Sequence, residues 1–390
     1  MHHQSHTRRR RACGALALFA LGLGSAIPSA AATIQTAGYH GAAKAPLARL
    51  VWNRKDFRLG DWPENLDLDC LEVLDAWRPF AEQNGYRMDL LADCRVLLLS
   101  QAQRNRSVLT WQERIEDTVA LADDLIPWTE PSTAPLGVMP SEADGWRYGG
   151  DQVRVLVRLN GSEDRDALVH DLVRRSPELL DWQARGLSEP SFLLREPACA
   201  AWIESGSEAV EGAAGECVNH LTQLLLDGRF GVLPTWLEAG LGWTIENEVT
   251  GRIMSVPSLA ETPRRLPVHG FQAELKKLFR HRRSVPVSGQ ELLQWQRSTW
   301  DANQAALAWG VCAHMVNNRP NGIANLCADL ALARVSLDGV GRGDGSWNGI
   351  LREEWNASEV ERAIARHLGP SARSHWSSYF AAGRDFPAAR

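Results

Sequence analysis

The stretch Asn219-His220-Leu221-Thr222-Gln223 and, shortly after it, Leu233-Pro234-Thr235-Trp236-Leu237-Glu238-Ala239-Gly240-Leu241 carry the strongest signal for the fold of this chain. Apolar residues recur in both stretches at the spacing of an amphipathic helix. They predict two consecutive helices over 213–227 and 234–249. The apolar positions that define the two helix faces are Leu221, Leu224, Leu225, Leu237, Leu241 and Ile245.

These two stretches resemble the active-site helices of the gluzincin zinc peptidases, in particular the family called peptidase MA-like. In that family the first helix carries His-Glu-x-x-His, and the second opens with Leu-Pro-x-Trp-Leu-x-Glu-Gly-Leu-Ala. The likeness spans about residues 90–370, and it is specific only at 219–241. The residues of this chain that match the family frame the site, and they are Leu221, Thr222, Leu233, Pro234, Trp236, Leu237, Gly240 and Leu241.

The chain departs from the family at each position that would carry the chemistry. Asn219 and Gln223 stand in place of the two zinc-binding histidines. His220 replaces the glutamate base, and Ala239 replaces the third ligand. Zinc prefers thiolate, imidazole and carboxylate ligands, so carboxamides are poor substitutes. Because Asn219 and Gln223 lie one helical turn apart, we expect them to hydrogen-bond each other in a degenerate site without a metal or other cofactor.

Among the side chains at these positions, only the imidazole of His220 can still act as a base or a metal ligand. Three roles are open to it. It could be a structural histidine, a general base in another reaction, or a ligand in a shifted metal site with Cys217, Glu216 or Glu238. On a helix, Glu238 points away from the third-ligand position because it precedes that position by one residue. Glu246 lies two turns beyond the same position, and we expect it to be too distant to replace the lost ligand.

The first 32 residues are typical of a secretory signal peptide. Arg8 to Arg11 form a basic segment, residues 12–27 form a short apolar run, and residues 29–32 offer a small-residue cleavage site. An uncleaved anchor is the alternative, and the choice between the general secretory and twin-arginine routes stays open. We therefore expect an exported protein, periplasmic or extracellular, with no membrane span in the mature chain.

Composition limits the kinds of partner. Apolar residues make up 44% of the chain and charged residues 23%, values typical of a soluble globular protein. Without the four arginines of the signal segment, 38 basic residues face 47 acidic ones, a net charge of −9. This balance argues against a nucleic-acid partner, which would need a basic face. The sixteen tryptophans are scattered along the chain and favour core packing over a ligand-stacking surface.

Six cysteines lie beyond the signal segment, an even number that suggests disulfides in an exported chain. Buried free thiols are the alternative, because a domain of this size does not need cross-links. Pairing in sequence order would join Cys70 to Cys94, Cys199 to Cys217 and Cys312 to Cys327.

Periodicity divides the chain into a partly disordered lead-in (33–65), a mixed α/β part (66–205) and a helical part (206–390) that carries the two site helices. The mixed part has predicted helices from residues 66, 110 and 162, a loop over 129–150, and strands over 95–100, 153–159, 192–195 and 199–203. Later helices are predicted over 270–281, 289–296, 301–317, 321–334, 345–354, 357–368 and 371–382. The resemblance implies a zincin-like α+β fold, mostly helical, with a small mixed sheet layer followed by a helical C-terminal part.

Together, the resemblance and the four substitutions favour an exported pseudo-metallopeptidase that has lost its zinc site and is non-catalytic. Its cleft would bind a peptide or another envelope component. Two alternatives stay open. One is an active metal-dependent hydrolase that holds zinc through non-standard ligands around His220. The other is a purely structural envelope protein with a filled cleft. The sequence does not indicate an oligomeric state.

Overall fold

A mixed seven-stranded sheet is the centre of the N-terminal part of the protein. The computed structural model describes residues 35–37, 47–52, 66–101, 108–127, 152–204, 209–231, 233–255, 271, 275, 302–318, 320–337 and 357–368. The strands are β1 (Gln35–Ala37), β2 (Leu47–Trp52), β3 (Tyr86–Leu91), β4 (Val96–Gln101), β5 (Arg154–Leu159), β6 (Ser191–Leu194) and β7 (Cys199–Ile203). Their order is β1-β2-β3-β4-β5-β7-β6. Strands β4, β5 and β7 run parallel, and the other neighbours are antiparallel.

Helices surround this sheet and continue after it. They are α1 (Leu68–Asn84), α2 (Val108–Leu125), α3 (Ser162–Arg175), α4 (Leu180–Ser188), α5 (Ala209–Phe230), α6 (Thr235–Thr250), α7 (Ala302–Asn318), α8 (Pro320–Leu337) and α9 (Ala357–Leu368). Helix α1 begins where the Asp67 side chain accepts a 2.8 Å hydrogen bond from the backbone N–H of Cys70. It ends at Gly85, whose φ of 71° lies in the left-handed region that glycine adopts easily.

Strand β4, in the middle of the sheet, is buried on both faces. Along β4, Val96 and Leu98 pack into the core that contains α2, α5 and α6, while Leu97 and Leu99 pack into the core that contains α1 and α3. All four side chains are fully buried. A strand covered on both faces has a continuous apolar sequence instead of an alternating one, which is why this segment is a run of Val and Leu.

Helices α5 and α6 form an antiparallel pair in the first of these cores. Helix α6 is buried along most of its length, from Trp236 to Glu246. It approaches α7 closely at Gly240, where a Cβ atom would lie 2.6 Å from both the Ala308 carbonyl oxygen and the Cys312 sulfur. The site helices are therefore held between the sheet and the helical part, and their relative position is fixed by close packing.

The predicted α+β, mostly helical class is confirmed, and so are both site helices. Helix α5 is longer than expected, and α6 has the expected length but is shifted by one residue. Helix α2 begins at Val108, so the predicted start at Thr110 is wrong. Periodicity does not predict α4 or β3. In the middle of β3, the buried Asp89 pairs with Arg87. Strands β1 and β2 lie within the predicted lead-in.

Several predictions fall outside the described residues. They are the signal segment 1–32, the loop 129–150, the helices over 289–296, 345–354 and 371–382, and the helix over 270–281 except for residues 271 and 275. Within the ranges that the structure describes, no helix combines the length and the apolar character that crossing a bilayer requires.

The sequential disulfides are not formed, and all six cysteines are buried free thiols. Cys70 and Cys94 lie in the cores on opposite faces of the sheet, and so do Cys199 and Cys217. The sheet separates the members of these two pairs, although each pair is close in sequence. Cys312 and Cys327 lie in one core, where burial raises the pKa of both thiols well above its ordinary value.

Candidate functional site

A hydrogen-bonded pair of carboxamides lies at the centre of the α5–α6 contact. The Gln223 Nε2 atom donates to the Asn219 Oδ1 atom over 2.5 Å, as the one-turn spacing predicted. Each of these residues is 4% exposed. Burying a carboxamide without a partner is costly, so this bond compensates part of the cost of placing two polar side chains inside a helix contact.

Gly242 of α6 makes room for Asn219. A Cβ atom at Gly242 would lie 2.9 Å from the Asn219 Nδ2 atom and 3.2 Å from its Cγ atom. Real Cβ atoms do not approach so closely without a shift of the neighbour. The Asn219 side chain thus occupies the space that an ordinary side chain on α6 would need.

Glu246 extends this pair into a larger cluster. Its Oε2 atom lies 3.5 Å from the Asn219 Nδ2 donor, at the long limit of a hydrogen bond. Its Oε1 atom accepts hydrogen bonds from the backbone N–H groups of Met254 (2.5 Å) and Ser255 (2.8 Å), and the Ser255 hydroxyl donates to Oε2. Glu246 thus reaches Asn219, although it lies two turns beyond Ala239 along α6. In an antiparallel pair, the C-terminal half of α6 lies beside the N-terminal half of α5.

A second glycine accommodates Glu246. A Cβ atom at Gly215 of α5 would lie 2.3 Å from the Glu246 Oε1 atom, 3.0 Å from the Met254 Cβ atom and 3.0 Å from the Ser255 backbone nitrogen. Two glycines on opposite helices thus leave the space that Asn219 and Glu246 fill. We call Asn219, Gln223, Glu246 and Ser255 the polar cluster.

Burial raises the pKa of the Glu246 carboxyl from its ordinary value of 4.5 to about 7. The hydrogen bonds from Ser255 and Met254 oppose this shift, and the nearby charge of Glu216 adds to it. The folded protein therefore binds more protons than the unfolded chain between about pH 4.5 and pH 7. The free energy of unfolding decreases with rising pH wherever the folded state binds more protons than the unfolded state. Ionisation of Glu246 should therefore destabilise the protein as the pH rises through this window.

A Glu246→Gln variant is expected to lack this pH dependence. It keeps a carbonyl oxygen for the two backbone donors but carries no titratable group. The difference in unfolding free energy between wild type and variant should change by about 3 kcal/mol between roughly pH 4 and pH 8, with the variant gaining as the pH rises. Urea denaturation across this range measures it, and parallel stability profiles for the two proteins would contradict the assignment.

His220 lies on α5 beside the polar cluster but points to a different group. Its Nε2 atom is 3.1 Å from the Glu216 Oε2 atom, one turn back along the helix. The two atoms are close enough for an ion pair, but they are not aligned for a hydrogen bond. Both ring nitrogens of His220 are buried without a hydrogen-bond partner in the described part of the chain. The Ser191 hydroxyl of β6 donates to the same carboxylate oxygen over 3.3 Å.

The other two candidates for a shifted metal site have different roles. Cys217 packs in the apolar core, where burial raises its thiol pKa to about 12, so it is protonated at neutral pH. The two carboxylate oxygens of Glu238 accept hydrogen bonds from the Arg195 Nη2 atom, at 3.0 and 2.8 Å. Arg195 also forms an ion pair with Asp227. The structure therefore does not bring Cys217 or Glu238 to His220, because each of these side chains lies in a separate environment.

The residues at the family's zinc positions do not fit a zinc ion. Two are carboxamides, and Ala239, which is buried in the core, has no donor atom. Glu246, the carboxylate that reaches Asn219, already accepts hydrogen bonds from Met254 and Ser255. Among the residues that the structure describes, no group of three or more His, Cys, Asp or Glu side chains is arranged to hold a metal.

Sequence reasoning missed Glu246, Ser255, Gly215 and Gly242. The two glycines themselves were the signal, because Gly215 and Gly242 occupy positions in the predicted helices where a helix core ordinarily carries a larger residue. A glycine there indicates that a side chain of the neighbouring helix needs the space. Comparison with models of known protein families gives no match for this chain, and comparison with curated protein sequences gives none either. Assignment of a function therefore depends on the geometry of α5 and α6.

Proposed function

We propose that this protein is an exported, non-catalytic relative of the peptidase MA-like zinc peptidases, in which the metal site has been replaced by the polar cluster. The observation that carries the proposal is the bond from Gln223 to Asn219, which Glu246 continues towards Ser255. The order of elements, with a mixed sheet followed by two site helices and further helices, supports a zincin-like fold.

The residue types support loss of the peptidase reaction. Zinc peptidases activate water by lowering its pKa on the metal, and a carboxylate next to the first histidine takes the proton. Here that carboxylate position holds His220, whose imidazole faces Glu216. Asn219 and Gln223 use their polar atoms on each other. No step of metal-assisted hydrolysis can be assigned to these side chains.

We further propose that the former active-site groove binds a peptide or another envelope component without cutting it. The contact of the edge strand β6 with α5 through Ser191 and Glu216 supports this proposal, because an edge strand beside the first site helix is where such a groove would lie. A concave site that has lost its catalyst can keep its binding surface. A protein of this kind would recognise, hold or present its ligand.

The proposal is tested with the mature protein, zinc and a mixture of peptides of diverse sequence, analysed by mass spectrometry. We expect peptides to be retained intact, with no cleavage above a buffer control, and the same result for a His220→Ala variant. Cleavage by wild type that disappears in His220→Ala would establish the alternative of an active hydrolase. Failure to retain any peptide would favour the structural alternative with a filled cleft.

A further inference from the structure

A second group of polar side chains lies outside the polar cluster, where α5 meets β6. It consists of His220 and Glu216 of α5 and Ser191 of β6, and we call it the α5–β6 triplet. The Glu216 Oε2 atom is shared, at 3.1 Å from the His220 Nε2 atom and 3.3 Å from the Ser191 hydroxyl. The proposed function uses neither His220 nor Glu216 as a ligand or a base.

The imidazole of His220 is the part of this triplet whose buried nitrogens form no hydrogen bond with the described residues. His220 is 8% exposed, and neither ring nitrogen has a hydrogen-bond partner within the described ranges. A neutral imidazole offers one donor and one acceptor, and leaving such groups buried and unpaired has a cost in folding free energy. An additional bound species that engages the imidazole would remove part of this cost.

The distance between His220 and Glu216 indicates the chemistry of that species. Two ligand atoms that are 3.1 Å apart without hydrogen-bond alignment can both contact one ion. With metal–ligand bonds of about 2.1 Å, they would meet at an angle of roughly 95° at the metal. Residues i and i+4 of a helix present their side chains on one face, so the helix itself sets this separation.

We propose that the α5–β6 triplet binds a divalent transition cation of the zinc type, with His220 Nε2 and Glu216 Oε2 as ligands. The Ser191 hydroxyl is placed to assist, directly or through a water molecule. Imidazole together with carboxylate favours zinc and its neighbours over calcium or magnesium, which prefer all-oxygen shells.

Local charge supports a cation at this position. Glu216 is close enough to Glu246 for the two carboxylates to repel each other. A bound cation would reduce the repulsion between these two carboxylates. By linking Glu216 and His220 to Ser191, it would also tie α5 to the edge strand, which is a stabilising role and does not require catalysis. The inference does not depend on the proposed function, because Asn219, Gln223 and Ala239 take no part in it.

The test is titration of the mature wild-type protein with Zn²⁺, followed by calorimetry, with Co²⁺ as a spectroscopic probe. We expect one ion per chain with a dissociation constant in the micromolar range, because few protein side chains contact it. Both His220→Ala and Glu216→Gln should weaken binding at least tenfold. Cys217→Ala is the matched control on the same helical turn, and it should bind as wild type does, since Cys217 faces the apolar core.

Three results would overturn the inference. They are no Zn²⁺ binding by wild type, unchanged binding by both His220→Ala and Glu216→Gln, and a thiolate band in the Co²⁺ spectrum that Cys217→Ala removes. Thermal unfolding without metal verifies that each variant is folded. Failure here leaves the proposed function intact, because the proposed function is contradicted by peptide cleavage, a different readout.

Discussion

A Gly215→Ala variant is expected to lose at least about 2 kcal/mol of unfolding free energy, although the same change in an ordinary helix gains about 1 kcal/mol. The new methyl group would lie 2.3 Å from the Glu246 Oε1 atom and 3.0 Å from the Ser255 backbone nitrogen. The Glu246 side chain cannot move away without weakening its hydrogen bonds to Met254 and Ser255. Leaving those buried donors unpaired is the source of the loss.

A double-mutant cycle shows whether Glu246 causes this effect. In a Glu246→Ala background the added methyl group meets no carboxylate, so Gly215→Ala should cost much less there, and the coupling between the two changes should be about 1–2 kcal/mol. Gly161→Ala is the control, because a Cβ atom at Gly161 meets nothing within 4 Å. Chemical denaturation measures all of these values. A stabilising Gly215→Ala substitution would show that the polar cluster is not packed as described.

The second large effect is a gain of zinc binding in the fourfold variant Asn219→His, His220→Glu, Gln223→His and Ala239→Glu. It introduces two histidines, a glutamate base and a third ligand, as found in the peptidase MA-like family, on helices that this chain already forms. Glu246 lies 3.5 Å from Asn219 and would be available to orient the new histidine at that position. We expect the variant to retain one zinc ion per chain after dialysis that strips zinc from wild type.

A threefold variant that keeps His220 is the matched control for the base. It contains both new histidines and the new glutamate at position 239, and it should retain zinc as well as the fourfold variant does. Any peptide hydrolysis should be confined to the fourfold variant, because the carboxylate next to the first histidine is absent from the control. The fourfold variant also lacks His220, so its zinc content reports on the new site alone. The threefold variant keeps the α5–β6 triplet, so the position of the ion must be determined to assign its zinc.

Local signals predicted much of this architecture. The apolar spacing around Leu221 and Leu237 defined α5 and α6, because a helix that packs on one face must repeat its apolar residues every three or four positions. The one-turn spacing of Asn219 and Gln223 predicted their hydrogen bond, which depends only on helix geometry. The continuous apolar run of β4 predicted a buried strand for the same kind of local reason.

Features that depend on how distant segments meet were not predictable. Glu246 was judged by its distance from Ala239 along α6, but its true neighbours, Asn219 and Gly215, are set by the register of the two antiparallel helices. The same limitation affected the cysteines. Cys70 and Cys94 are close in sequence, yet the sheet lies between them.

The most direct measurement is anomalous diffraction at the zinc absorption edge, from crystals of the wild-type protein and of the fourfold variant grown with zinc. For wild type we expect no anomalous peak among Asn219, Gln223 and Ala239, and electron density in which the Gln223 amide contacts Asn219. An ion bound at the α5–β6 triplet would give a peak at His220 and is distinguished by its position. The fourfold variant should show a peak at the rebuilt site. A zinc peak between Asn219 and Gln223 in wild type would contradict the proposal that the polar cluster stands in place of a metal site.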